Sequence, residues 1–363
     1  MPATLSDKVL LAPALSLVLT KTVLSLLTSP LRGRDGAPTI QEHVMTSAYR
    51  SMFVHFTAGQ LQLILAPFLD SYRKWCKQQK LQPEIVDIPN TNTKGFWIGS
   101  KDSAKYVMLY CHGGGFVMPG IPPHLDLLFR CVQWSNGKLA IFCNAYTLAP
   151  EGVYPLQIGE CVEALRYVLS LPGRTPATTL LGGDSAGGNL VLAILSHVSG
   201  HAHPSSTLVK PLQLSENLHG ALAIAPWVSS DETKFKSMKE FSNRDIVNSK
   251  CSNYWIDVYK GRKKDVKDDY YIVPELAPAS WWSESKVTSF LATAGEQEAL
   301  RDAIISWADK FKEGRGDDVL KLVKGTREVH DAPLTPKSDG ELDKLGDACQ
   351  EAAIRNWIRL RLE

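Results

Sequence analysis

The sequence predicts an α/β fold: a mainly parallel, eight-stranded sheet covered by helices on both faces. Three observations predict it. Eight short apolar runs, at 84–88, 95–98, 106–111, 139–146, 178–181, 221–225, 287–292 and 319–323, have the length and composition of strands. Helical stretches at 159–171, 189–198, 300–312 and 342–360 separate the later runs. Strands alternating with helices imply parallel pairing and burial on both sides. Reactive and glycine-rich residues follow the carboxyl ends of these runs, where open α/β sheets bind ligands. With 363 residues the chain can form one such domain and a cap.

The N-terminal part stands apart from this pattern. Residues 9–31 are apolar and are interrupted by Pro13 and Lys21. A spanning helix needs about 20 apolar residues, and a charge at mid-span costs about 2.5–3.5 kcal/mol. The segment therefore reads as an amphipathic helix that caps the fold or touches a membrane surface. A spanning anchor is the alternative, favoured by Arg32 and Arg34 just beyond the run. Neither a basic leader nor a small-residue cleavage site marks a signal peptide. Residues 41–80 have helical periodicity with aromatics (Tyr49, Phe53, Phe56, Phe68, Tyr72, Trp75) and end before Pro83. The expected division is a helical cap over 1–83 and a main domain over 84–363. A second cap piece is expected at 228–286, where no good strand occurs but a helix-like stretch (253–259) and the pair Trp281-Trp282 do.

Two motifs carry chemistry. Gly183-Asp184-Ser185-Ala186-Gly187 lies between the strand at 178–181 and the apolar helix at 189–198. A G-x-S-x-G in that setting is a nucleophile elbow: a tight turn that lifts the serine hydroxyl above the sheet. The amide of Ala186 then points where an oxyanion forms. Upstream, His112-Gly113-Gly114-Gly115-Phe116 follows the strand at 106–111. Its glycines leave backbone N–H groups unshielded, so Gly113 and Gly114 join Ala186 as expected oxyanion donors, although sequence leaves open which two glycines contribute. The two motifs in this order point to acyl transfer. A serine nucleophile needs a base and an acid that orients the base, in chain order serine, acid, histidine. Of nine histidines only His330 lies well beyond Ser185, in a turn-rich stretch after the last strand. His197, His201, His203 and His219 come too early. Asp331 reads as a turn residue.

His112-Gly-Gly-Gly-Phe116, Tyr146-Thr-Leu-Ala-Pro-Glu151 with Tyr154-Pro155, and Gly183-Asp-Ser-Ala-Gly-Gly-Asn-Leu190 together resemble the hormone-sensitive-lipase family of α/β-hydrolases. Fungal members related to steryl acetyl hydrolases are the nearest likeness, over roughly residues 84–360. The resemblance implies the α/β-hydrolase fold, a serine hydrolase acting on carboxylic esters, and no cofactor or metal. It places the triad acid at Glu298, where the family usually has the aspartate of Asp-Pro-Leu-Arg-Asp; Glu296 and Asp302 are the competitors. It also implies that the 228–286 insertion roofs the serine. Aromatics there (Trp255, Trp281, Trp282) either face a bulky apolar ester, such as an acetylated sterol, terpenoid or polyketide, or only hold the lid together. Two rival readings remain: another carbonyl reaction in a natural-product pathway, and a non-catalytic receptor on the same fold.

Composition excludes some partners. Net charge is +2, and the basic cluster Arg262, Lys263, Lys264 and Lys267 is interleaved with Asp265, Asp268 and Asp269. That pattern is a solvated loop rather than a nucleic-acid face. Seven cysteines without a C-x-x-C argue against a disulfide framework or zinc site, and Cys111 and Cys143 read as small core residues. With no N-x-[ST] sequon, the expected setting is intracellular, cytoplasmic or membrane-associated.

Overall fold

The computed structural model describes residues 4–33, 37–231, 233–263 and 266–363. Arg34, Lys264 and Asp265 lie outside them. The strands are β1 (Ile85–Asp87), β2 (Lys94–Ile98), β3 (Tyr106–Cys111), β4 (Leu139–Ala145), β5 (Thr179–Asp184), β6 (Gly220–Ile224), β7 (Phe290–Gly295) and β8 (Leu320–Gly325). They form one sheet in the order β1-β2-β4-β3-β5-β6-β7-β8. β2 runs antiparallel to both neighbours; all pairs from β4 to β8 are parallel. All eight expected strands are present. Several reach two or three residues farther than their apolar runs, because Gly183-Asp184 and Thr293 to Gly295 still pair with neighbours.

The helices are α1 (Leu5–Val9), α2 (Leu11–Thr28), α3 (Ile40–His55), α4 (Ala58–Ile64), α5 (Phe68–Gln79), α6 (Pro122–Trp134), α7 (Leu156–Ser170), α8 (Ser185–Val198), α9 (Ser237–Glu240), α10 (Ser249–Tyr259), α11 (Arg301–Arg315), α12 (Asp339–Leu345) and α13 (Gln350–Arg361). Side chains alternate across β3. Val107, Leu109 and Cys111 enter the core under α7, α8 and α11, while Tyr106, Met108 and Tyr110 enter the core under α5, α6 and α13. Taking one such aliphatic side chain out of water contributes about 1.5–3 kcal/mol; the central strands β3, β5, β6 and β7 are buried on both faces, while Lys321 and Lys324 of the edge strand β8 are exposed. All seven cysteines are buried free thiols.

Two helical expectations need correction. The stretch 342–360 is two helices, because Gly346 takes φ +49° and turns the chain between α12 and α13. α6 was not expected at all. Pro122 and Pro123 mask it, yet a proline at the first helical position lacks only an N–H that would be unsatisfied anyway.

The N-terminal segment is helical. α2 packs one face on α3, with Ala14 and Val18 touching the core. Leu15, Leu19, Leu24, Leu26 and Leu27 are exposed. Leu11–Leu31 is long and apolar enough to cross a membrane, at a mean hydropathy of 1.6, and only 6% of it is buried. The described residues of 228–286 contain no strand; α9, α10 and short 3-10 turns fill the segment.

Candidate active site

β5 ends at Asp184 and α8 begins at Ser185 without an intervening loop. The turn requires Ser185 to adopt φ +49°, a left-handed conformation that costs a non-glycine residue of order 1–3 kcal/mol. Its flanks must be glycine. A Cβ on Gly187 would stand 1.9 Å from the Cys111 carbonyl oxygen, and one on Gly183 would stand 2.4 Å from the Gly187 oxygen.

The loop after β8 brings His330 to this serine. His330 Nε2 lies 2.8 Å from Ser185 Oγ, and Nδ1 lies 2.7 Å from Glu298 Oε1. The second oxygen, Glu298 Oε2, accepts the Gly295 N–H at 2.7 Å. With its carboxylate tied back to the strand end, the longer glutamate reaches the imidazole from the loop after β7. The competing acids are placed elsewhere. Glu296 accepts the Arg327 N–H, and Asp302 accepts the Ser237 N–H and pairs with Arg301. Ser185, Glu298 and His330 are all buried.

Two further carboxyl groups border His330. Asp245, from the insertion, accepts the His330 N–H at 2.9 Å through Oδ1 and the Ala299 N–H at 2.7 Å through Oδ2. It thereby ties the histidine loop to the acid loop. Asp331 has the turn conformation expected of it (φ +53°), but its side chain is mostly covered and Oδ2 stands 3.3 Å from His330 Nε2. Burial lowers the affinity of His330 for a proton, and the carboxylates of Asp331, Glu298 and Asp245 outweigh it, pushing the pKa up to about 10. Asp331 is itself held far above the usual carboxylate range by burial.

Asp184, the variable residue of the pentapeptide, anchors the glycine loop. Its Oδ1 accepts from Tyr110 Oη at 2.7 Å and from the Gly113 N–H at 2.9 Å, while Oδ2 meets His124 Nε2 at 3.0 Å. This corrects the expectation for Gly113: its amide is engaged by Asp184 and not directed at a ligand. Gly114 and Gly115 take φ +108° and +60°, and their N–H groups have no protein acceptor among the described residues. His112 stacks on Tyr146, whose hydroxyl donates to the His112 carbonyl at 2.8 Å. Burial lowers the His112 pKa to about 4, so the ring is neutral and serves the loop. Among the described residues no group of His, Cys, Asp and Glu side chains is arranged to hold a metal ion.

Of the three insertion tryptophans, only Trp255 borders the glycine loop. A Cβ on Gly115 would stand 2.6 Å from its ring, and Phe53 of α3 and Trp227 pack against it. Trp281 stacks on His201, and Trp282 is buried against Trp307 and Phe311. Asp245, Asp184 and Gly115 were missed or undervalued from sequence. The fixed place of Asp184 inside the motif was the available signal; Asp245 belongs to no motif.

A family model described as alpha/beta hydrolase fold matches residues 108–333. A putative alpha/beta hydrolase, R526, of Acanthamoeba polyphaga mimivirus is 34% identical over 221 residues, 59% of this chain and 57% of that protein. The carboxylesterase/phospholipase LipF of Mycobacterium tuberculosis is 26% identical over 285 residues, covering 77% and 72% of the two chains. The putative steryl acetyl hydrolase mug81 of Schizosaccharomyces pombe is 26% identical over 218 residues, 56% and 54%. A crystal structure of an esterase from the bacterial hormone-sensitive lipase family aligns with a TM-score of 0.61 at 20% identity, over 97% of this chain and 99% of the other.

Proposed function

The chain belongs to the α/β-hydrolase fold family, and from that premise we propose that it hydrolyses carboxylic esters with Ser185 as nucleophile, His330 as base and Glu298 as the acid that orients it. The observation that carries the reading is the continuous hydrogen-bonded line from Ser185 Oγ through the two nitrogens of His330 to Glu298. Ser185 Oγ attacks the ester carbonyl carbon while His330 Nε2 takes its proton. The C–O bond to the leaving alcohol breaks as the same proton passes to that oxygen. Water, deprotonated by His330, then attacks the acyl carbon, the bond to Ser185 Oγ breaks as that proton passes to Oγ, and the carboxylic acid leaves. Glu298 fixes the tautomer with the proton on Nδ1 and stabilises the imidazolium. The oxyanion donors in this reading are Gly114, Gly115 and Ala186. One such donor is worth about 3–4 kcal/mol in the transition state.

The substrate in this proposal is an acetyl or similarly short ester of a bulky apolar alcohol of the sterol, terpenoid or polyketide type. Two things support it: the aromatic wall of Phe53, Trp227 and Trp255 beside the glycine loop, and the printed name of the fission-yeast relative. Helices α1–α5 and the insertion act as the cap, and α2 as a membrane-surface contact, supported by its exposed leucines. A fluorophosphonate probe tests the chemistry. It labels the wild-type protein at Ser185 and not Ser185→Ala, and the labelled protein loses hydrolysis of p-nitrophenyl acetate. Failure to label the folded protein would refute the nucleophile. Comparison of steryl acetates with long-chain acyl esters tests the substrate class, and a preference for long acyl chains would count against it.

A further inference from the structure

Away from the triad, α2, α3 and the segment 243–248 enclose a cleft of about 440 Å³. Its lining carries Lys21, Arg50, His43 and His55 and, among the described residues, no aspartate or glutamate. Neither Lys21 nor Arg50 has a carboxylate within ion-pair distance among those residues. Arg50 donates only to the Asp245 carbonyl, at 2.8 Å, and Lys21 lies 3.3 Å from His55 Nε2. His55 Nδ1 stands 2.7 Å from the Ser51 carbonyl; this places the ring proton on Nδ1 and leaves Nε2 to accept from Lys21. Two serine hydroxyls on the lining, Ser25 and Ser51, are buried and have no hydrogen-bond partner. A buried polar group left unsatisfied costs about 1–3 kcal/mol; both serines border the cleft, and a rotation of each hydroxyl toward an anion seated there removes that cost.

We propose that this cleft binds a phosphate-type anion. The donors come from two helices: the ammonium of Lys21 and hydroxyl of Ser25 on α2, and the guanidinium and hydroxyl of Arg50 and Ser51 on α3. A tetrahedral group rich in acceptor oxygens satisfies such a set, and charge-assisted bonds from Arg and Lys are the strong ones. The positive field is already felt by His43, whose pKa is lowered by burial first and then by Arg32 and Arg50. Lys21, Leu24, Ser25 and Thr28 share the cleft face of α2, while Leu15, Leu19, Leu26 and Leu27 of the same helix are exposed. A phospholipid headgroup in the cleft would thus lie beside an apolar surface suited to its chains; a soluble phosphate ester would use the cleft alone.

The test uses the full chain and reads binding, so its outcome is independent of the esterase reaction. Inorganic phosphate at about 10 mM, against chloride of equal ionic strength, raises the Tm of the wild type by a few degrees and leaves Lys21→Gln unmoved. Arg50→Gln repeats the measurement at the second cation. Co-sedimentation then separates the sources. A headgroup site gives about fivefold or more tighter binding to phosphatidylcholine vesicles containing phosphatidate than to phosphatidylcholine alone, an excess that Lys21→Gln removes. A soluble ligand gives the Tm rise without that excess. No phosphate-dependent rise in Tm together with equal binding to both vesicles overturns the site, as does a response that Lys21→Gln retains in full.

Discussion

The roles of individual side chains around His330 differ, and each has its own measurable signature. Glu298→Gln keeps size and hydrogen bonding but removes the charge that supports the imidazolium. Loss of the corresponding carboxylate in a serine protease costs about 10⁴ in kcat, so a fall of about 10²–10⁴ is expected here. Glu296→Gln and Asp302→Asn, which touch Arg327 and Ser237 rather than the base, cost about tenfold or less. A crippled Asp302→Asn beside an active Glu298→Gln would reassign the acid. Asp331 shows itself in a pH profile. Its carboxylate is the largest of the influences raising the His330 pKa, against burial. His330 must be neutral to accept the serine proton, so Asp331→Asn lowers the pKa of the base and extends activity to lower pH. In a plot of kcat/KM against pH the acid limb moves down; an unmoved or raised limb would remove Asp331 from the base's surroundings. Asp245→Asn weakens the hold on two loops at once, and the expected sign is a loss in kcat exceeding any change in KM, measured on a short ester.

At the scale of elements, the elbow makes the sharpest prediction. Gly187→Ala drives a methyl group into the Cys111 carbonyl, which is backbone and cannot swing aside. Activity should fall below about 1% of wild type or the protein should not fold, the latter seen as lost near-ultraviolet circular dichroism. Gly188→Ala, whose Cβ would meet Pro226 at 2.9 Å, is the milder companion. The elements were legible in the sequence where one physical rule acted alone. Short continuous apolar runs located every strand, and the elbow and glycine loop lay where strand ends put them. What stayed hidden depended on partners far along the chain. That Gly113 turns its amide to Asp184, 71 residues away, cannot be read from three equivalent glycines. Asp245 has no motif because its work is to receive backbone N–H groups from two other loops. α6 was masked by prolines that mark a helix start as readily as a break.

Across the whole molecule the N-terminal helices form part of the same packed body as the site. Phe53 of α3 rests on Trp255, Arg50 donates to the Asp245 carbonyl, and Tyr254 of α10 accepts the Ala58 N–H. Removing residues 1–37, and with them α1 and α2, should therefore leave the triad assembled but change KM for bulky esters by more than about threefold while short esters change little. Equal effects on both would mean that these helices stabilise the fold without roofing the site. Asp245 carries a consequence of a different kind. Its two carboxylate oxygens and its carbonyl receive donors from residues 50, 299 and 330, so the proposed base is in register only when these distant segments have come together. A ribosome-bound nascent chain that already displays Ser185 has no aligned histidine, and the elbow emerges from the ribosome unarmed. In the proposed triad the serine thus stays without its base until the residues through His330 have been made and packed.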